Sequence, residues 1–91
     1  MGHTLYYSTS VEKWKEFTHL VKKACRGLEW EAKILKNSVV VRAPCNHVEM
    51  LVIEKNGKGF VKTNLVEPCH SIYLLILYSV AAFGSVSLWE D

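Results

Sequence analysis

The sequence predicts one α+β domain, in which an antiparallel sheet of about five strands carries two helices packed on one face. Apolar residues recur every three or four positions in the first third of the chain and every second position between Glu29 and Val66. A third observation is the stretch from Cys69 to Trp89, which contains no Asp, Glu, Lys or Arg. The 91 residues suit one hydrophobic core, so residues 1–91 are expected to form a single domain.

Composition and charge narrow the class of protein. Apolar residues make up 49% of the chain and charged residues 22%, which is typical of globular rather than disordered proteins. A net charge of +2 is too balanced for a protein whose main partner is duplex DNA. Three cysteines are too few for a small secreted disulfide scaffold, and no signal-peptide pattern opens the chain, so the sequence predicts a cytoplasmic protein.

The first strand and the first helix are predicted near the start of the chain. The aromatic run within residues 4–8 is typical of a strand. A helix is predicted from Ser10 to Arg26, because Thr9 and Glu12 form a capping box and Gly27 supplies a left-handed stop. Its expected core face consists of apolar residues spaced by three or four positions: Val11, Trp14, Phe17, Val21, Ala24 and Leu28.

The middle of the chain predicts a meander of strands. Turn residues divide it into four of them, at Trp30 to Leu35, Ser38 to Ala43, Val48 to Lys55 and Phe60 to Val66. Asn56-Gly57 is the dipeptide that favours the positive backbone angles of a tight hairpin. The last two strands are therefore expected to be joined by a tight turn at these residues.

The uncharged stretch from Cys69 to Trp89 has three interpretations. Its favoured interpretation is a long helix buried against the sheet on one side and against the first helix or a second subunit on the other, which predicts a homodimer. Its length also matches the roughly 20 apolar residues that span a bilayer, so a transmembrane tail is an alternative. After Gly84 the pattern Ser85-Val86-Ser87-Leu88 alternates, which predicts a final strand over residues 85–91 instead of a continued helix.

The two endings of the chain imply different element orders. With a final helix, the order β-α-β-β-β-β-α resembles the fold of one repeat of the TATA-binding protein, in which helices cover one face of a curved sheet. With a final strand, it resembles a ferredoxin-like fold with an elaborated central hairpin. Both resemblances concern element order alone and share no motif, so they imply nothing about activity.

Two short segments each offer a thiol and an imidazole, and the meander brings them to one edge of the sheet. Cys45 and His47 lie in a connection, and Cys69 and His70 follow the last strand. Three chemical interpretations are open: a Cys2His2 zinc site, a disulfide, and a reactive Cys69 thiol with a histidine base. The ligand spacing is shorter than in established zinc sites. Small apolar cysteines that happen to lie beside histidines explain the same residues.

Basic residues on the exposed face of the sheet suggest a nucleic-acid contact. Lys33, Arg42 and Lys62 occupy alternate positions on their strands, and Lys58 lies in the predicted hairpin with Phe60 nearby. A basic stripe beside an aromatic ring suits a phosphate backbone with stacked bases. The ordinary solvated face of a half-buried sheet explains the same alternation.

The sequence carries no catalytic signature. The favoured interpretation is a small non-enzymatic interaction module that binds a protein or a nucleic acid without a cofactor, as a homodimer through the apolar C-terminal helix. The first alternative is a thiol or zinc protein that uses the Cys and His residues at the sheet edge. The second alternative is a tail-anchored membrane protein.

Overall fold

The computed structural model describes residues 2–91, which form an α+β fold with two antiparallel three-stranded sheets and two α-helices. The α+β class is therefore confirmed. The strands are β1 (Thr4–Val11), β2 (Glu31–Ile34), β3 (Ser38–Arg42), β4 (Leu51–Glu54), β5 (Asn56–Lys62) and β6 (Gly84–Glu90). The helices are α1 (Trp14–Leu28) and α2 (Cys69–Ser79), and a short 3-10 helix (Val80–Ala82) follows α2.

The strands form two sheets, where the sequence predicted one sheet of about five strands. The first sheet has the order β5-β1-β6 and the second the order β2-β3-β4. The division falls at Lys55, whose N–H donates to the Asn37 carbonyl and whose carbonyl accepts from the Val11 N–H, each at 2.8 Å. Because these bonds hold Lys55 between β1 and the residue that precedes β3, β4 stays with the second sheet while β5 turns to pair with β1.

The segment Asn56-Gly57 does not form the predicted tight turn. Both residues lie in β5, opposite Ser10 and Thr9 of β1, and no glycine of residues 2–91 has a positive φ. The Ser10 hydroxyl donates to the Asn56 side-chain oxygen at 3.0 Å, which adds to the backbone pairing. Pairing with a distant strand thus overrides a local turn preference.

Helix α1 begins and ends later than the sequence predicts. Thr9 belongs to β1, and its hydroxyl donates to the Glu54 carbonyl at 2.7 Å instead of capping the helix. The helix passes through Gly27, and the left-handed residue at its end is Glu29, with φ of 61°. The N–H of Trp30 donates to the Cys25 carbonyl, so the chain reverses by a C-terminal capping motif without a glycine.

The apolar C-terminal stretch is divided between a helix and a strand. Helix α2 ends at Ser79, and β6 pairs with β1 along its whole length. The favoured element order with a final helix is not confirmed, because the chain ends in a strand as the alternative expected. No helix in residues 2–91 combines the length and the apolar character needed to cross a membrane.

The core lies between the inner faces of the two sheets and the two helices. Residues of β1 alternate, so that Leu5, Tyr7 and Val11 are buried while Tyr6 and Ser10 face the other way. The largest fully buried side chains come from both sheets and both helices: Tyr7, Tyr73, Phe17, Leu5, Leu51, Ile53 and Leu77. The outer face of the first sheet is therefore left without a covering helix.

Candidate nucleic-acid interface

Three aromatic side chains form a row across the outer face of the first sheet, which we call the aromatic row: Phe60, Tyr6 and Trp89. Tyr6 of β1 lies opposite Phe60 of β5 and opposite Trp89 of β6, so each of the three strands contributes one ring. Side chains of paired residues point to the same face of an antiparallel sheet. The strand register thus places all three rings side by side.

The rings of the aromatic row contact each other, and the two outer rings are exposed to solvent. The Tyr6 and Trp89 rings are stacked, with centroids 6.0 Å apart and planes 9° apart. The Tyr6 and Phe60 centroids are 6.3 Å apart. Phe60 is 66% exposed and Trp89 51% exposed, whereas Tyr6 between them is half-buried. The row therefore presents ring surface that could accept a planar partner.

Two lysines flank the aromatic row on the same face. Lys58 and Lys62 lie two residues before and after Phe60 on β5, and all three side chains are exposed. Across the strand pair, Lys58 lies opposite Ser8 and Lys62 opposite Thr4. This edge of the face thus carries two ammonium groups, and the Glu49 carboxylate lies beside the second of them, where it accepts a hydrogen bond from the Lys62 N–H at 2.9 Å.

The other two residues of the predicted basic stripe lie on the second sheet. Lys33 is in β2 opposite Val40, and Arg42 is in β3 opposite Glu31. The predicted stripe is thus divided between two sheets, because the bend at Lys55 separates β4 from β5. Lys58 and Lys62 share a face with exposed aromatic rings, and Lys33 and Arg42 do not.

The Cys45 and Cys69 thiols are joined by a disulfide, one of the three interpretations of this edge. Their Cα atoms are 6.3 Å apart, and the bond links the β3–β4 connection to the start of α2. In this oxidised form neither sulfur is a thiolate, so neither is available as a zinc ligand or a nucleophile. The two predicted cysteines therefore form a covalent cross-link in this structure.

The two histidines of the predicted Cys and His set have different surroundings. His47 is exposed in a turn with φ of 65°, and its carbonyl accepts a hydrogen bond from the Asn64 side chain. His70 is buried on α2, and its Nδ1 lies 2.7 Å from the Thr63 hydroxyl oxygen. Its other ring nitrogen faces Glu90 at 3.5 Å. The structure thus gives His70 partners that the sequence analysis did not assign.

Shifted pKa values belong mainly to buried groups away from the aromatic row. Burial raises the pKa of Tyr7 to about 12 and also raises the pKa of Tyr73. Burial likewise raises the pKa of the Cys25 thiol, which keeps it neutral and unreactive. Hydrogen bonds from Ser71 lower the pKa of Glu67, whose carboxylate accepts from the Ser71 N–H in the first turn of α2. These groups stabilise the fold, whereas the outer face offers rings and ammonium groups for binding.

Sequence reasoning identified Phe60 and the two lysines but missed the other two members of the aromatic row. Tyr6 was assigned to the first strand without a face, and Trp89 to the end of an apolar stretch. The alternation of Ser85, Ser87 and Trp89 on one side of a strand was the available signal. Their meeting with Phe60 depends on the pairing of three strands that are far apart in sequence.

Comparisons of the chain with protein-family models, with curated proteins and with solved structures found no match.

Proposed function

We propose that this protein is a non-enzymatic module that binds single-stranded nucleic acid on the outer face of its first sheet. The observation that carries the proposal is the aromatic row, with one ring on each of three adjacent strands, the two outer rings exposed and the central Tyr6 half-buried. Every base has a flat π surface, so exposed rings bind unpaired bases with little dependence on sequence. Lys58 and Lys62, which flank Phe60, would pair with the phosphates between those bases.

An unpaired strand suits this face better than a duplex does. The bases of a duplex are stacked on each other and offer only their edges in the grooves, whereas those of a single strand can be splayed onto separate rings. The face lies on a sheet, and the small net charge of +2 matches a short contact with few phosphates. Ring stacking would then supply a large part of the affinity.

The experiment is a binding titration of a fluorescently labelled oligothymidine, followed by anisotropy at low salt. Truncating Phe60 or Tyr6 to Ala should weaken binding roughly 5- to 150-fold each, because one stacked base contributes about 1–3 kcal/mol. The matched control is Tyr78→Ala, which removes an exposed aromatic ring from α2, away from the face. Equal weakening by all three variants, or no binding by the unaltered protein, would contradict the proposal.

The predicted homodimer through the apolar C-terminal helix remains a second proposal. Leu75 and Tyr78 of α2 are 68% and 57% exposed, and Leu75 lines an apolar groove between α1 and α2 with Leu20 and Leu28. A second copy that covers this groove would bury the side chains that the fold leaves open. Sedimentation equilibrium of the unaltered protein and of Leu75→Arg tests it, since a monomer in both cases rejects the dimer.

A cytoplasmic location also stays a prediction. The disulfide between Cys45 and Cys69 argues against an ordinary reducing cytoplasm. Such bonds persist in oxidising compartments and, inside cells, chiefly in proteins of hyperthermophiles. Alkylation of the protein in freshly lysed cells of its source, followed by mass measurement, would show whether the bond exists there.

A further inference from the structure

We propose that His3, His70 and Glu90 form a binding site for one zinc ion at the corner where β1, β6 and α2 meet. Their three ligand atoms lie no more than 4.8 Å from one another. Two imidazoles and one carboxylate are a ligand set that zinc adopts when it keeps one position for water. This set differs from the Cys and His set that the sequence predicted and shares only His70 with it.

The backbone brings these residues together from distant parts of the chain. His3 directly precedes β1, and its carbonyl accepts hydrogen bonds from the N–H groups of Thr63 and Asn64 at 3.0 and 3.1 Å. Glu90 ends β6 opposite Leu5 of β1. His70 follows the disulfide-bonded Cys69 in the first turn of α2. The backbone of each ligand residue is thus held in place, at His3 by hydrogen bonds, at Glu90 by strand pairing and at His70 by the helix and the neighbouring disulfide.

The distances among the ligand atoms require only small adjustments to hold an ion. His3 Nε2 is 2.7 Å and His70 Nε2 3.5 Å from the same carboxylate oxygen of Glu90. Zinc bonds of about 2.0–2.2 Å place tetrahedral ligand atoms about 3.3–3.5 Å apart. The His70–Glu90 pair already has this separation, and the His3–Glu90 pair must open by less than an ångström. The two imidazole ligand atoms, which lie within 4.8 Å of each other, must close by up to about 1.5 Å. Zinc would then replace the proton that His3 and Glu90 share in their hydrogen bond.

A second layer of contacts orients the buried ligand. Thr63 is fully buried, and its hydroxyl oxygen lies 2.7 Å from His70 Nδ1. This contact engages one ring nitrogen of His70 and leaves Nε2 directed at Glu90. Zinc-binding histidines generally have their second nitrogen held by a neighbouring polar group in this way. The arrangement exists without any metal contact and therefore pre-orients the site.

One side of the cluster is open to solvent. The side chain of His70 is 7% exposed, that of His3 19% and that of Glu90 41%. An ion can therefore enter from the Glu90 side and retain a water molecule as its fourth ligand. The Cys45 and Cys69 sulfurs do not compete for it while they are joined.

The test is a zinc titration of the oxidised, chelator-free protein, in competition with a chromophoric zinc chelator. The unaltered protein should bind one Zn²⁺ ion. His3→Ala and Glu90→Gln should each weaken binding at least tenfold, because each substitution removes one of the three protein ligands. Both altered positions lie near the surface, so circular dichroism and the melting temperature should show that these variants fold. Co²⁺ gives a second measurement, since its visible absorption reports a tetrahedral site with nitrogen and oxygen ligands.

Two matched controls separate this site from other histidines. His19→Ala removes an exposed histidine of α1, and His47→Ala removes a member of the predicted Cys and His set. Both variants should bind zinc as the unaltered protein does. Absence of binding by the unaltered protein, unchanged binding in His3→Ala and Glu90→Gln, or loss of binding in His47→Ala would each overturn the proposal.

Discussion

The hydroxyl of Tyr7 in β1 donates a 2.6 Å hydrogen bond to the carbonyl of Val52 in β4 and so links the two sheets. Thr9, two residues further along β1, makes the equivalent bond to the Glu54 carbonyl at 2.7 Å. β4 is an edge strand of the second sheet, so these side chains satisfy carbonyls that no neighbouring strand reaches. These two hydroxyl groups therefore add to the backbone hydrogen bonds of Lys55 in joining the sheets.

Tyr7→Phe should destabilise the fold. The substitution keeps the ring but removes a partly buried hydrogen bond to the Val52 carbonyl, which costs about 0.5–1.5 kcal/mol. Urea unfolding of Tyr7→Phe and of the control Tyr6→Phe, whose ring lies on the outer face, measures the difference. Equal free energies of unfolding for the two variants would show that the bond between the sheets contributes nothing.

Stability should fall at alkaline pH because of the same residue. The pKa of Tyr7 is raised from 10.0 to about 12 by burial, so the folded state favours the neutral phenol. The contribution of this group to stability is complete below pH 10 and is lost as the pH rises through about 12. The loss should amount to roughly 2–3 kcal/mol, measured by unfolding at a series of pH values. Tyr7→Phe should show a smaller decline, and an identical decline would assign the effect to other groups.

Gly84→Ala should destabilise the protein, whereas Gly27→Ala should stabilise it. A Cβ atom at Gly84 would overlap the backbone carbonyl oxygen of Ser10 and lie 2.9 Å from the Cα of Val11, so β1 and β6 would have to separate. Such overpacking costs about 1–3 kcal/mol or more. A Cβ at Gly27 meets nothing within 4 Å, and alanine in a helix gains roughly 0.5–1 kcal/mol over glycine. Thermal unfolding of both variants should give melting temperatures that move in opposite directions.

Reduction of the disulfide should lower the free energy of unfolding by about 3 kcal/mol, because the bond closes a loop between residues 24 positions apart. Guanidinium unfolding with and without reductant measures this change. The Cys45→Ala, Cys69→Ala double variant should have the same free energy of unfolding as the reduced protein, and reductant should not change it. In the reduced, folded protein an alkylating reagent should modify the half-buried Cys45 before the buried Cys69 and before Cys25, whose burial raises its pKa.

The salt dependence of oligonucleotide binding should depend on two of the four predicted basic residues. Lys58→Gln and Lys62→Gln should each reduce the slope of log affinity against log salt by roughly 0.7, the value for one phosphate of a single strand. Lys33→Gln and Arg42→Gln remove the same charge from the second sheet and serve as controls. A larger effect from the controls would move the interface to that sheet.

The sequence predicted local elements better than their partners. The alternating segments and the amphipathic face of α1 follow from periodicity, which acts over a few residues. Asn56-Gly57 was predicted as a turn but lies in β5, because it pairs with β1. Asn56 contacts Ser10, which lies 46 residues earlier in the sequence. A local turn preference is too weak to resist a full strand pairing, so this error was inherent in reading the segment alone.

In the candidate sites, too, residues that are close in sequence were predictable and contacts between distant residues were not. Phe60, Lys58 and Lys62 lie on one strand, and their alternation was visible in the sequence. His3 and Glu90 are 87 residues apart, beyond the reach of any local spacing pattern. Only the pairing of β1 with β6 brings them into contact, and no short motif encodes that pairing.

The order of synthesis has a consequence for the first sheet, because its central strand is made first and its two partners last. β2, β3 and β4 follow each other closely and can pair as soon as residue 54 leaves the ribosome. β1 has to wait for residues 56–62 and then for residues 84–90, with unpaired amide and carbonyl groups along both edges. Contacts between such distant segments form slowly, and exposed strand edges invite association during translation. A nascent chain stalled before β6 should therefore be the form of this protein that most needs a chaperone.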